Sequence, residues 1–249
     1  MNRPSFEIKN DARLIVKTAI FQVMLTTLVY LVIQYLMNVL VAGLSGYTAF
    51  IDQNYNLIMS GKPLETLRWP RVDRVALALA AAVGFMTRVL EAGYSRYVLL
   101  LSRGERAGVR AIVDAFAHFG KIVVIQLLTG AAVCVGFVFF IVPGFVLAHR
   151  YRLSLFVLYD DPTLGPVQCM RRSAQLMRGN KVRRFMLDLS FIGWIILSNI
   201  ISALLLPVLE LWLSPYMGVA GAVFYNDLVG IRSKAPEQPQ PPNDGNIDE

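Results

Sequence analysis

Long apolar runs, separated by short polar and basic stretches, dominate this chain, and they are too continuous for the one-sided helices of a soluble core. Residues 14–44 form the first run. As one helix they extend about 46 Å at 1.5 Å per residue, against a hydrocarbon layer of about 30 Å. The first turns are therefore expected in the interface, with Lys17 snorkelling to water. Gly43, Ser45 and Gly46 end the helix. A loop over 45–72 comes next, and its Tyr47, Tyr55, Trp69 and Pro70 suit the membrane–water boundary. Span two is 73–94, where Ala76, Ala80 and Gly84 make a small-residue face for close helix approach. Span three, 122–142, carries a second such face in Ala132 and Gly136 and is broken by Pro143-Gly144. Span four, 145–159, is shorter and holds His149, Arg150 and Arg152. Span five is 185–206, with Trp194 inside it. Span six, 207–229, is broken near Ser214-Pro215 and has Gly218 and Ala222 as a third close-packing face.

Two stretches have the other pattern, apolar on one side and basic on the rest. Residues 96–121 contain a turn at Arg103-Gly104-Glu105 and then a short stripe of Ile112, Val113, Phe116 and Phe119. A second helix is expected to open at Asp161-Pro162, as N-cap and first-turn proline, and to close at Gly179-Asn180. It places Leu164, Val167, Met170, Ala174 and Met177 on one face. Both stretches read as interfacial amphipathic helices. The fold class is therefore all-α: a polytopic transmembrane helical bundle of about six spans with two interfacial helices. Residues 1–233 form a single integral membrane domain, and 234–249 a disordered polar tail. Four spans are the alternative, if spans three and four make a shallow re-entrant pair.

Composition agrees. Of 249 residues, 55% are hydrophobic and 16% charged, where soluble domains carry about 45–50% and about 25%. Mean hydropathy is +0.52. This excludes a disordered chain, a secreted disulfide scaffold and a soluble nucleic-acid binder. The net charge is +7, and its distribution matters more than its size. Seventeen Lys and Arg fall in the N-terminus, the two amphipathic stretches and the tail, against three in the 45–72 loop. The positive-inside rule then places both termini in the cytoplasm of a cell (inner) membrane protein. The charged first 17 residues and the long run after them argue for a first membrane helix rather than a cleavable signal. Cys134 and Cys169 lie in dissimilar stretches and are not expected to pair, and neither they nor His118 and His149 have metal-ligand spacing. No cofactor is expected.

The second half has a recognisable order of motifs. Pro143-Gly144 is followed by Asp160-Asp161-Pro162, then Ser173-Ala174-Gln175-Leu176-Met177-Arg178-Gly179-Asn180-Lys181, then Leu189-Ser190-Phe191-Ile192-Gly193-Trp194, Pro215-Tyr216 and Phe224-Tyr225. Together these resemble the bacterial integral membrane family DUF975, over roughly residues 93–228. The resemblance implies a bacterial protein with several transmembrane helices and transfers no catalytic residue. A more distant similarity is to the membrane domain attached to some glycerophosphodiester phosphodiesterases, which implies a lipid environment.

Arg150 and Arg152 are the sharpest chemical signal, because a charge at the bilayer centre costs about 2.5–3.5 kcal/mol on insertion scales. They need acids, water or an anionic ligand. Glu91, Asp160 and Asp188 are the acids within reach of such a bundle, and Arg88 can pair with Glu91 three residues on. Arg150, Arg152, Glu91, Arg88, Asp160 and Asp188 thus form the candidate intramembrane polar site, read either as ion pairs or as an anion site. Arg171, Arg172, Arg178 and Lys181 are candidate contacts to lipid headgroups. Ser173 lacks a nucleophile-elbow motif and a neighbouring His. The expected function is a non-enzymatic membrane component, accessory or lipid-interacting, with a transporter of an anionic or lipid substrate as the alternative. The expected partners are the bilayer and its anionic lipids, together with a membrane-protein partner or a second copy of the chain, and no nucleic acid.

Overall fold

The computed structural model describes residues 3–234 apart from Lys62, Leu64, Thr66, Trp69, Val72 and 205–207. The expectations for Trp69, for the boundary between spans five and six, and for the tail beyond Lys234 lie outside the described residues. The regular structure among the described residues is helical. Four stretches are long and apolar enough to cross a membrane: Ile20–Leu44, Arg74–Ser102, Val109–Phe139 and Lys181–Ile201.

The first apolar run is two helices. α1 (Ser5–Thr18) and α2 (Ile20–Leu44) meet at Ala19, whose backbone leaves the helical region at φ −118°, ψ 35°. Different burial patterns explain the break. α1 is amphipathic and buries Ile8, Ala12, Ile15 and Val16, packing on α12 (Val208–Val229). α2 is apolar almost all round and packs along α4 (Arg74–Ser102).

Residues 45–72 are not simply a loop. Gly46, at φ 74°, turns the chain into α3 (Tyr47–Met59), a left-handed conformation that glycine adopts without a side-chain clash. Buried Asn54 ties α3 to the segment leading into α4. Its amide donates to the Phe50 and Arg68 carbonyls at 2.8 and 2.7 Å, and its Oδ1 accepts the Arg68 N–H.

α4 runs eight residues past its expected end at 94, to Ser102. Gly93 lies where α5 (Val109–Val113) crosses, and a Cβ there would sit 2.4 Å from the Ile112 carbonyl oxygen. The turn at Arg103-Gly104 is present, with Gly104 at φ 82°. α5 passes through a 3₁₀ turn (Asp114–His118) into α6 (Phe119–Phe139). The face that packs inward is Ala111, Ile112 and Ala115, whereas Val113 and Phe116 point out.

The next corner is at Phe140, in extended backbone at φ −163°, ψ 154°, three residues before the expected Pro143-Gly144. Pro143 instead sits in the first turn of α7 (Ile141–Tyr151), where its missing N–H has no helical acceptor to lose. α6 and α7 pack as a hairpin. A Cβ on Gly136 would lie 2.9 Å from Gly144 Cα, so this small-residue face is in use. Span four is interrupted at Arg152-Leu153, between α7 and α8 (Ser154–Asp160). At about 16 and 10 Å, neither piece crosses a bilayer alone.

α9 (Pro166–Leu176) begins four residues later than expected. Asp161 is not its cap, because its Oδ1 accepts the Thr163 N–H at 3.1 Å in a local turn. Gln168 closes the start by accepting the Gly165 N–H at 2.8 Å. Span five is α10 (Lys181–Leu189) and α11 (Ile192–Leu204), bent at Ser190-Phe191. α12 is the most enclosed helix, with Val219, Ala220 and Ala222 to Tyr225 buried. Its Gly218 admits Val98 of α4, whose Cγ1 lies 3.0 Å from an ideal Cβ. Of the Ala76, Ala80, Gly84 face, Ala80 is buried while a Cβ on Gly84 would meet nothing within 4 Å.

Candidate functional site

The six candidate polar residues do not converge on one place. Arg88 Nη1 pairs with Glu91 Oε2 at 2.9 Å on α4, and Gln34 of α2 reaches the same carboxylate at 3.4 Å. Asp160, at the end of α8, is held by Arg103 Nη1 at 2.6 Å and accepts the Tyr225 hydroxyl at 2.6 Å. Arg150 takes part in neither ion pair; its carbonyl accepts a hydrogen bond from Ser173 at 2.9 Å. Besides the Arg88–Glu91 pair within α4, Arg152 and Asp188 meet across elements, with Arg152 Nη2 at 3.8 Å from Asp188 Oδ1.

That meeting point is the centre of a larger cluster. Arg184, one turn before Asp188 on α10, places Nη2 3.1 Å from Oδ1 and Nε 3.3 Å from Oδ2, a two-point grip on the carboxylate. His149 Nε2 stands 3.6 Å from Oδ2. Arg184 is 5% exposed, and its Nη1 is buried without a hydrogen-bond partner. A cavity of about 290 Å³ adjoins the cluster and is lined by Ser95, Val98, Arg152, Arg184, Asp188 and Gly221, among others. Sequence reasoning misses Arg184, although the i, i+4 spacing to Asp188 signals the pair. A span that starts at Phe185 leaves Arg184 among the loop charges.

A second cleft, about 530 Å³, lies beside α9 and includes Gln168, Arg171, Arg172 and Gln175 with Asp160 and Asp161. α9 turns Cys169, Met170, Ser173 and Ala174 inward and leaves Arg171 and Arg172 exposed, as is Arg178 in the turn after it. Its start at Pro166 leaves Val167 exposed, contrary to the expected apolar face. The two acids are engaged elsewhere, Asp160 with Arg103 and Tyr225, Asp161 with Thr163. Lys181 borders a separate groove with Val182 and Phe185. Burial, with Lys121 opposing it, raises the Cys169 thiol above its ordinary value and marks it as a core side chain.

Residues 130–232 match the family model DUF975, a protein of unknown function. The chain carries a DUF975 region. The resemblance read from the motifs is borne out there, and the region holds His149, Arg152, Arg184, Asp188 and all of α9. Arg88, Glu91 and Arg103 precede the DUF975 match. No curated protein and no solved structure matches the chain.

Proposed function

We propose that this chain is a non-enzymatic, multi-pass component of the cell membrane that holds anionic lipid headgroups at its basic end. One observation carries the lipid reading: α9 buries its apolar side and turns Arg171 and Arg172 into a cleft whose acids are committed to other partners. A guanidinium near an anionic membrane surface contributes about 1 kcal/mol, and Arg178 and Lys181 extend the same basic segment. The non-enzymatic reading draws on Ser173, Asp160 and Asp188, which are all occupied in holding helices together. The cytoplasmic placement of both termini draws on the charge asymmetry and on one shared cleft, lined by Arg3 and Asp11 together with Gly230 to Ser233.

The test is lipid enrichment. The chain is reconstituted in equal phosphatidylglycerol and phosphatidylcholine, extracted gently, and its retained lipids are counted by native mass spectrometry. Phosphatidylglycerol is expected to be enriched, and the enrichment to fall in Arg171→Gln/Arg172→Gln/Arg178→Gln. An unchanged ratio in that variant sinks the reading.

A transport reading is favoured by one feature, the α7–α8 interruption beside the Arg152–Asp188–Arg184 cluster, since broken helices and intramembrane charges line substrate paths in transporters. Anion or lipid flux in liposomes that is lost in Arg152→Gln supports this alternative.

A further inference from the structure

The Arg184 cavity goes beyond the α9 contacts and shares no lining residue with that cleft. Three sides of the Arg184 guanidinium are accounted for. Asp188 takes Nε and Nη2, the Phe224 ring lies 5.4 Å from Cζ, and α12 presses close at Gly221, where a Cβ would stand 3.3 Å from Nη1. Among the described residues Nη1 is left buried and without a hydrogen-bond partner. Buried donors of this kind are rare, and one in a native structure calls for a partner.

Charge points the same way. Among the described residues the charged groups that act on Arg184 are Arg152 and Asp188, so a single carboxylate faces two guanidiniums. His149 also contacts that carboxylate and supplies no negative charge. The cluster is one anion short of balance around the buried Arg184 guanidinium, where uncompensated charge is costly. Arg152 is the adaptable member, since its side chain is 49% exposed and it holds Asp188 only at 3.8 Å. Two guanidiniums flanking one space suit a tetrahedral oxyanion, which accepts from planar N–H forks on more than one side.

An apolar groove borders His149. It measures about 170 Å³ and is lined by Phe145, Val146, Val182 and Phe185 with His149 and Lys181. His149 thus borders the groove while standing 3.6 Å from Asp188, which lines the cavity. We propose that the cavity binds one phosphate-bearing headgroup between Arg152 and Arg184, with its acyl chain in this groove. A soluble phosphate ester shares the headgroup chemistry and has no use for the groove.

The test uses the full chain in a mild detergent with four probes: dioleoylphosphatidic acid, dihexanoylphosphatidic acid, dioleoylphosphatidylcholine and inorganic phosphate. Native mass spectrometry reads stoichiometry, and the thermal midpoint against ligand concentration reads affinity. Dioleoylphosphatidic acid is expected to bind one per chain and more tightly than the other three. Arg152→Gln is expected to weaken it by about tenfold to a hundredfold, the effect of removing one charge-assisted contact. Arg152 is half exposed, so this variant keeps the fold where Arg184→Gln endangers it. Val146→Trp is expected to weaken the acylated lipids and spare inorganic phosphate. Arg171→Gln/Arg172→Gln is expected to keep this single adduct, which separates the result from the fate of the α9 reading. Unchanged affinity in Arg152→Gln overturns the site. Equal binding of inorganic phosphate, lost in Arg152→Gln, overturns the lipid assignment and leaves a free phosphate site.

Discussion

Ser173 shows how a single side chain acts at a distance its sequence cannot reveal. Its hydroxyl accepts the Leu153 N–H at 3.2 Å and donates to the Arg150 carbonyl at 2.9 Å, so α9 satisfies the backbone where α7 breaks into α8. Ser173→Ala is expected to leave both groups unpaired at a buried position and to destabilise by about 1–3 kcal/mol. Denaturant unfolding in detergent measures it, and an unchanged midpoint would show that the break needs no such support. Asn226 is the second such residue. Fully buried on α12, it accepts from Arg103 Nε at 3.1 Å and donates to Ser102 and Ser233 hydroxyls at 2.9 and 3.1 Å. It therefore fastens the end of α4 to the chain beyond α12. Asn226→Ala should cost about as much as Ser173→Ala, and Ser233→Ala clearly less, because Ser233 is only partly buried. Equal losses in the two Asn226-cluster variants would contradict this ranking. A reading along the chain can see that Ser173 lacks the neighbours of a nucleophile. It cannot see Leu153 twenty residues away.

At the scale of elements, hydrophobic period tells which segments are helical and fails where packing decides the boundary. α2, α4, α6 and α12 are legible because each is long and apolar. The break at Ala19 is hidden, since the last turn of α1 from Leu14 to Val16 is apolar enough to join the run of α2, and only the amphipathic face buried on α12 distinguishes the two helices. α3 escapes because Asp52, Gln53, Asn54 and Asn56 give it the composition of a loop, while Asn54 spends its polarity inside. The glycine faces divide in the same way. Spacing alone makes Gly84 and Gly136 equivalent, yet only Gly136 has a helix against it. Gly136→Ala is expected to force apart α6 and α7 at a cost of about 1–3 kcal/mol, the usual penalty of overpacking. Gly84→Ala is expected to be neutral or to stabilise by up to about 1 kcal/mol, since alanine is the better helix former and the space is open. The two unfolding midpoints, measured in one detergent, check the pair. A matching loss at Gly84 would mean that this face is covered by another chain in solution.

For the whole molecule, the strongest organising feature is that positive charge and chain ends share one pole. Arg183 joins α10 to both ends, pairing with Asp227 and donating to the Arg3 carbonyl at 2.9 Å. α9 and its arginines lie in the same chain region, and Lys121 at the foot of α6 reaches the Pro162 and Leu164 carbonyls at 2.5 and 3.2 Å. α3 is the counterpart: it contains no Lys or Arg and comes after the 25 helical residues of α2, about 37 Å of rise and enough to cross a bilayer. By the positive-inside rule we propose that a bundle arranged this way inserts with α9 facing the cytoplasm and α3 facing out. Single cysteines decide it. In a Cys134→Ala/Cys169→Ala background, Ser60→Cys and Arg178→Cys probe exposed positions at the end of α3 and just beyond α9. A membrane-impermeant maleimide applied to right-side-out vesicles is expected to label the Ser60→Cys protein at once and the Arg178→Cys protein only after lysis. Labelling of both before lysis, or the reverse order, would remove the topology on which the proposed lipid contacts of α9 depend. The glycine packing of α6 and α7 and the Arg184 cavity would stand regardless, because they rest on contacts within the bundle.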